Sequence, residues 1–280
     1  MDQPVVGILH PGSMGAAVAA CAAKNAAAVL WCEEGRSPAS AARAEQAGLA
    51  PVATLSVLLE RSDIVISLCP PAAAEDVAAE VAAGGFGGWY VEANAISPER
   101  MQRINELLSP GVRAVVDGAV VGSPPVRGKS PTLYLSGPLD VVAAVEVLFA
   151  GTAVRTKTLG AEVGQASALK LAYSSFQKTS RVLAALALGV AREHGVDQEL
   201  IEVAFRRTGS YLAEPEYVAK TAARAWRWGP ELEEAADALA AAGLPPDMLR
   251  AAASTLARWN DAKDDSSLTL ADALDRLAHP

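Results

Sequence analysis

A chain of 280 residues with a net charge of −8 and a pI near 5.0 is poorly suited to gripping nucleic acid or an anionic membrane, because both need a basic surface. Hydrophobic residues make up 51% of it, enough to core one large domain or two ordinary ones. With no apolar run long enough to span a bilayer, and a first strand starting at Val5, the sequence predicts a soluble, cytoplasmic protein without a signal peptide.

In chain order, apolar runs at Val5–Leu9, Ala28–Cys32, 64–68, Trp89–Glu92, 114–116 and Thr132–Ser136 read as strands. Alanine-rich segments at 15–24 and 38–47, and a segment opened by Ser97-Pro98-Glu99, read as helices between them. Strands alternating with helices make βαβ units. Residues 1–160 therefore predict an α/β, Rossmann-like dinucleotide-binding domain, a parallel sheet covered on both faces. After about residue 159 the strand signals stop. A helical pattern without proline runs over 162–195, with Leu169, Tyr173, Phe176, Leu183, Ala187 and Val190 at the spacing of a buried stripe. Further helices at 198–208, 213–226, 230–242 and 246–259 make residues 161–280 an all-helical domain.

The first strand runs into His10-Pro11-Gly12-Ser13-Met14-Gly15, a degenerate form of the phosphate-binding turn G-x-G-x-x-G. In that turn the second glycine lets the backbone approach the pyrophosphate and the third lets helix and strand pack closely. Gly12 and Gly15 fill these two positions. His10 stands at the first, where a side chain is tolerable if the backbone stays in an ordinary region, and Pro11 stiffens the bend. The helix N-terminus that follows offers free N–H groups to a phosphate. All six residues are therefore assigned to the cofactor, His10 as a lining residue and not a catalyst.

About twenty residues past such a turn, an acid holds a ribose 2′-hydroxyl or an arginine accommodates a 2′-phosphate. Here Glu33 and Glu34 precede Arg36 and Ser37. Guanidinium plus hydroxyl suits a phosphate dianion, which favours NADP(H). The glutamates, Glu34 above all, leave NAD(H) open. Cys69-Pro70-Pro71, which closes the strand at 64–68, is counted with the cofactor site. The three cysteines, Cys21, Cys32 and Cys69, sit in apolar contexts without C-x-x-C spacing, reading as buried thiols in a reducing compartment. No metal ligands are assigned.

The stretches GILHPGSMG, DIVISLCPP, ANAISPE, DGAVVGSPPVRGKSPTLYLSG and GQASALKLAYSSFQK occur in the order seen in β-hydroxyacid dehydrogenases. The chain resembles that superfamily, which shares its dinucleotide domain with 6-phosphogluconate dehydrogenase. Two further stretches, ALKLAYSSFQKTS and WRWGPELEEAADALAAAGLP, resemble a subgroup with a phosphogluconate-dehydrogenase-like C-terminal domain of unknown function. The resemblance implies that Lys170 is the general acid or base, with Ser174 where the family carries Asn. It matches the substrate loop to residues 117–123, with Val121 in place of a carboxylate-binding serine, then Gly122, and Ser123 in place of a glycine. Ala93-Asn94 matches the Ser-Thr motif beside the nicotinamide, so Asn94 is assigned to both cofactor and substrate. The family's late Lys-Asp pair is absent; the region reads Trp228-Gly229-Pro230-Glu231.

The residues themselves support Lys170. Lys170, Ser174, Gln177 and Arg181 recur at the spacing of one helix face, a polar stripe along an otherwise apolar helix. An ammonium in a partly dry cleft gives up its proton more readily, which suits protonation of an alkoxide left by hydride transfer. Ser174 and Gln177 are assigned to the substrate.

The expected activity is thus an NADP(H)-dependent oxidoreductase of a small hydroxy acid or its keto partner. An imine reductase is the alternative, because DGAVVGSPPVRG also resembles that sister family; a lysine beside an iminium would repel it. A non-catalytic NADP-binding protein is a third reading. Arg127, Lys129 and Arg181 are basic residues within reach of an acidic substrate or plain surface charges. A homodimer is expected through the helical domain, from the apolar face of residues 182–191 and Trp226, Trp228 and Trp259.

Overall fold

The computed structural model describes residues 3–193, 195–206, 214–241 and 245–279. It divides into two compact units, Met1–Lys170 and Leu171–Pro280.

The first unit is built on an eight-stranded sheet in the order β3-β2-β1-β4-β5-β6-β7-β8. The strands are β1 (Val5–Leu9), β2 (Ala28–Cys32), β3 (Ala50–Val52), β4 (Ile64–Ser67), β5 (Trp89–Glu92), β6 (Ala114–Val121), β7 (Thr132–Ser136) and β8 (Arg155–Gly160). Helices α1 (Ser13–Ala22), α2 (Pro38–Gln46), α3 (Leu55–Arg61), α4 (Ala74–Ala83), α5 (Pro98–Leu108) and α6 (Leu139–Leu148) connect them. Strands β1 to β6 run parallel, and two apolar clusters fill the unit. The central strands are buried on both sides, so each is a continuous apolar run and stands where the sequence predicts it. Local chemistry sets the helix starts. Ser37 and Ser97 accept a backbone N–H three residues on, and each is followed by proline at the first helical position.

One feature departs from the expected parallel sheet. Strand β7 is antiparallel to β6 and parallel to β8. By register β6 pairs with β5 only as far as Asp117, opposite Glu92, while Gly118 to Val121 pair with β7 alone. The β6–β7 arm therefore overshoots the carboxyl edge of its parallel neighbours. Residues expected as a loop from 117 are strand as far as Val121, because an antiparallel partner satisfies their backbone groups.

The second unit is helical. Helix α7 (Gln165–Glu193) begins in the first unit and continues into the second, followed by α8 (Asp197–Phe205), α9 (Glu216–Ala222), α10 (Ala225–Ala241), α11 (Asp247–Ala257) and α12 (Leu270–Ala278). The helices expected at 198–208, 213–226 and 230–242 reach into residues outside those described. Proline at 230 does not open a helix; α10 runs through it from Ala225, the burial of Trp228, Leu232 and Ala235 outweighing one lost backbone hydrogen bond.

The expected buried stripe of α7 is corrected. Tyr173 is 44% and Phe176 71% exposed, while Leu171, Ser174, Lys178, Thr179 and Val182 are buried. The side chains of Leu183, Ala187 and Val190 lie outside those described. The expected dimer surface changes in part: Val182, Ala184, Leu188, Ala191, Trp228 and Trp259 are buried, while Trp226 is exposed. Trp259 donates its indole N–H to the Ala273 carbonyl at 2.7 Å, inside the helical core. Among the described residues no helix is long and apolar enough to cross a membrane.

Candidate active site

In an open parallel sheet, ligands bind outside the carboxyl ends of the strands, where the winding direction reverses. Here that point lies between β1 and β4. The residues after β1, β2, β4 and β5 and the end of β6 all face this edge, and they include every cofactor residue inferred from the sequence.

At the glycine loop, Gly12 donates its N–H to the His10 carbonyl at 2.7 Å. A Cβ on Gly12 would have no atom within 4 Å, which leaves the backbone open to a pyrophosphate. A Cβ on Gly15 would stand 2.6 Å from the His10 carbonyl oxygen, so helix and turn approach only because it is glycine. Gly12 caps α1 without a side-chain hydrogen bond, leaving the first-turn N–H groups for an anion. His10 breaks the expectation of an ordinary backbone. Its φ is 69°, in the left-handed region, because the tight bend requires it whatever residue stands there. Its ring is partly buried with Nδ1 unpartnered, and burial, then Arg36, lowers its pKa to about 4. A neutral imidazole suits a lining role.

After β2, Glu33 and Glu34 are exposed and Arg36 is half-buried, its Nε without a partner. The Ser37 hydroxyl is taken up in capping α2, accepting the Ser40 N–H at 3.3 Å. The sequence reading missed Arg43. It turns back from α2, donating from Nε to the Pro11 carbonyl at 3.3 Å and from Nη2 to Ser40 Oγ at 3.0 Å. Its spacing from Ser40, one helical turn along α2, was the available signal.

At the ends of β4 and β5, the buried Asn94 donates from Nδ2 to Ser67 Oγ at 3.0 Å and Cys69 Sγ at 3.3 Å. Its Oδ1 is buried with no partner. Glu92, unremarked in the sequence, accepts the Asn94 N–H at 2.9 Å and the Tyr90 hydroxyl at 3.2 Å. Burial raises the Glu92 carboxyl to about 8. Burial first, then Glu92, pushes the Cys69 thiol to about 11, which rules out a ready thiolate. Cys21 and Cys32 are buried as expected, but Cys69 is only partly so because it lies at the open strand edge.

The β6–β7 arm carries the substrate residues inferred from the family. Gly122 has a φ of 127°, and a Cβ there would stand 3.0 Å from Pro131 Cα. Ser123 is exposed, as are Arg127 and Lys129 in the same loop. Lys170, half-buried in the first turns of α7, donates from Nζ to the Val120 carbonyl at 2.9 Å, next to Val121. The structure thus brings Lys170 onto this arm. The wholly buried Asp117 accepts the N–H groups of Gly164 and Ser167 and the hydroxyls of Ser136 and Ser167.

Within the helical unit, Ser174 is buried and Gln177 donates to the Tyr173 hydroxyl at 3.1 Å. Lys178 is buried and ion-paired with Glu231, and Arg181 stacks on Tyr217 at 4.9 Å and Trp228 at 5.7 Å. Arg181 is therefore no plain surface charge. The segment that lacks the family's Lys-Asp pair supplies both Trp228 and Glu231 to this cluster.

A dinucleotide fits the first unit. Buried His10 Nδ1, Arg36 Nε and Asn94 Oδ1 are polar atoms without partners, spread along the carboxyl edge of β1, β2 and β5, and the loop between them is open at Gly12. Residues 5–160 match the model of the NAD binding domain of 6-phosphogluconate dehydrogenase, more than half of the chain. The chain belongs to this family. The 6-phosphogluconate dehydrogenase family fixes the cofactor class as a nicotinamide dinucleotide. Residues 191–259 match a domain of unknown function, DUF1932.

A 3-hydroxyisobutyrate dehydrogenase from Mycobacterium tuberculosis, solved with L-serine, superposes with a TM-score of 0.75 at 20% identity, covering 99% of each chain. An imine reductase from Pseudomonas sp. superposes at 0.58 and 19% identity, covering 99% of this chain and 100% of that one. An uncharacterized 28.5 kDa protein of Methanothermus fervidus is 28% identical over 181 residues, 64% of this chain and 68% of that protein. The fold is that of the hydroxyacid dehydrogenases and imine reductases: a Rossmann-like domain followed by a helical one.

Proposed function

We propose an NADP(H)-dependent oxidoreductase of a small hydroxy acid or its keto partner, with Lys170 as general acid and base. The observation that carries this reading is the Lys170 amine on the Val120 carbonyl, at the arm that overshoots the sheet edge beside the cofactor crevice. When bound, the nicotinamide supplies or accepts the hydride. Lys170 Nζ gives a proton to the substrate oxygen during reduction and takes it back during oxidation. Val121, Gly122 and Ser123 with Ser174 and Gln177 bind the substrate, while Asn94 orients the reacting groups.

His10 to Gly15 and Cys69-Pro70-Pro71 hold the cofactor. Arg36, supported by Arg43, favours a 2′-phosphate, and the exposure of Glu33 and Glu34 supports that preference. Dinucleotide binding is assigned to residues 1–160, with substrate selection and subunit pairing in 161–280. The exposed Phe176 and Phe205 support pairing into a homodimer, which light scattering tests; a stable 28.8 kDa species would refute it.

NADPH oxidation screened against ketones, keto acids and cyclic imines tests the activity. Turnover of keto acids or ketones is expected. Turnover of imines alone would make this chain an imine reductase, and none with any substrate would leave a binding protein.

A further inference from the structure

We propose that Asp117 is a positioning residue for Lys170, anchoring the first turn of α7 to β6 so that the lysine amine is held at the end of that strand. The inference rests on the assignment of Lys170 to proton transfer. Asp117 is wholly buried between Val116 and Gly118 in an otherwise apolar strand. A carboxyl group there is costly unless it is fully hydrogen-bonded. Four donors meet it: Oδ2 accepts the Gly164 N–H at 2.9 Å, the Ser167 N–H at 3.0 Å and the Ser136 hydroxyl at 3.2 Å, and Oδ1 accepts the Ser167 hydroxyl at 2.7 Å.

Ser136, on β7, also accepts the Ala166 N–H at 3.2 Å. Side chains of the sheet thus satisfy N–H groups of Gly164, Ala166 and Ser167, which no helix can satisfy within itself. A carboxylate at a helix N-terminus is further stabilised by the aligned peptide dipoles.

This anchor is tied to the lysine by register. Ser167 and Lys170 stand three residues apart on α7, as Asp117 and Val120 do on β6. Three strand residues span about 10 Å and three helical residues about 4.5 Å. The lysine stem spans the difference, which ties the reach of the amine to Val120 to the contact of Ser167 with Asp117. A contribution to overall stability alone would act on all of α7 alike. A positioning role acts on Lys170 and spares Lys178, more than two turns further along.

Acylation of each lysine by an N-hydroxysuccinimide ester, followed by mass spectrometry on the full chain without cofactor, separates these roles. With Asp117→Ala, the Lys170 rate should rise about fivefold or more, the factor of an ordinary hydrogen bond, while that of Lys178 is unchanged. Asp117→Asn keeps an acceptor for the backbone N–H groups and should restore most of the protection. If Asp117→Ala does not fold, Ser167→Ala removes one donor and should give a smaller rise confined to Lys170.

A Lys170 rate unchanged in a folded variant, or rising in step with Lys178, would overturn the inference. The acid/base reading is tested separately by turnover of Lys170→Met. If that variant stays active while Asp117→Ala unmasks Lys170, the positioning stands and the catalytic assignment falls.

Discussion

The sheet unit and the helical unit place polar and apolar groups by opposite rules. In the sheet unit the strands are apolar inside and the working groups gather at one edge, where chain turns expose them. In the helical unit, α7 buries Ser174, Lys178 and Thr179 and turns Tyr173 and Phe176 outward. In a strand buried on both faces polar groups stand at the ends or, like Asp117, are met by hydrogen-bond donors. A long helix has a full circumference, and its buried face can be polar wherever partners such as Glu231 meet it. Apolar spacing therefore identifies the core of the first unit and misplaces it in the second.

The largest effect should come where the two rules meet, at Lys170. Lys170→Met keeps the stem and removes the proton, so turnover of an authentic substrate should fall about 10²–10⁴-fold, with NADPH affinity nearly unchanged. Wild-type turnover would show that the start of α7 is structural only. Within the helical unit, Trp259→Ala should cost about 3–5 kcal/mol in urea unfolding, because this tryptophan fills the core and is not surplus surface. A loss below about 1 kcal/mol would return Trp259 to the surface and remove half of the contrast.

At the edge of the sheet unit, Arg36→Ala should weaken NADPH by about 1.5–3 kcal/mol and leave NADH alone. Calorimetric titration with both cofactors measures this, and equal NADPH affinity in the two proteins would end the 2′-phosphate assignment.

A pH-dependent effect should appear at Glu92, a carboxyl group wholly buried at the end of β5. It keeps its proton up to about pH 8 when folded and loses it near 4.5 when unfolded. The folded chain therefore binds more protons between those values, and stability should fall as pH rises through that window. Glu92→Gln should remove this slope, as urea unfolding on either side of the window would show. A slope that persists in Glu92→Gln belongs to other groups. The smallest effect is expected at Phe176: Phe176→Ser should change the stability of the monomer by less than about 0.5 kcal/mol, as for an exposed site. A larger, concentration-dependent loss would mean that a second copy covers it, which would sharpen the reading of that face as a dimer surface.

The sequence alone determined the central strands, the glycine turn, the cofactor class and the lysine to examine, because each has a local signature. Strands buried on both faces leave continuous apolar runs, and a phosphate turn leaves small residues at set positions. It did not reveal β3 or β8, edge strands of three residues and of largely polar residues, which bury too little to leave an apolar pattern. Nor did it reveal the left-handed backbone of His10, which the turn imposes on whatever residue stands there. Only the tertiary structure decided that β7 runs antiparallel and carries the end of β6 past the sheet edge. Only it joined Asp117 to Ser167 and Lys170 to Val120, pairs separated by 50 residues. Such partners are chosen by strand register and helix docking, which depend on the whole core and leave no trace in either local segment.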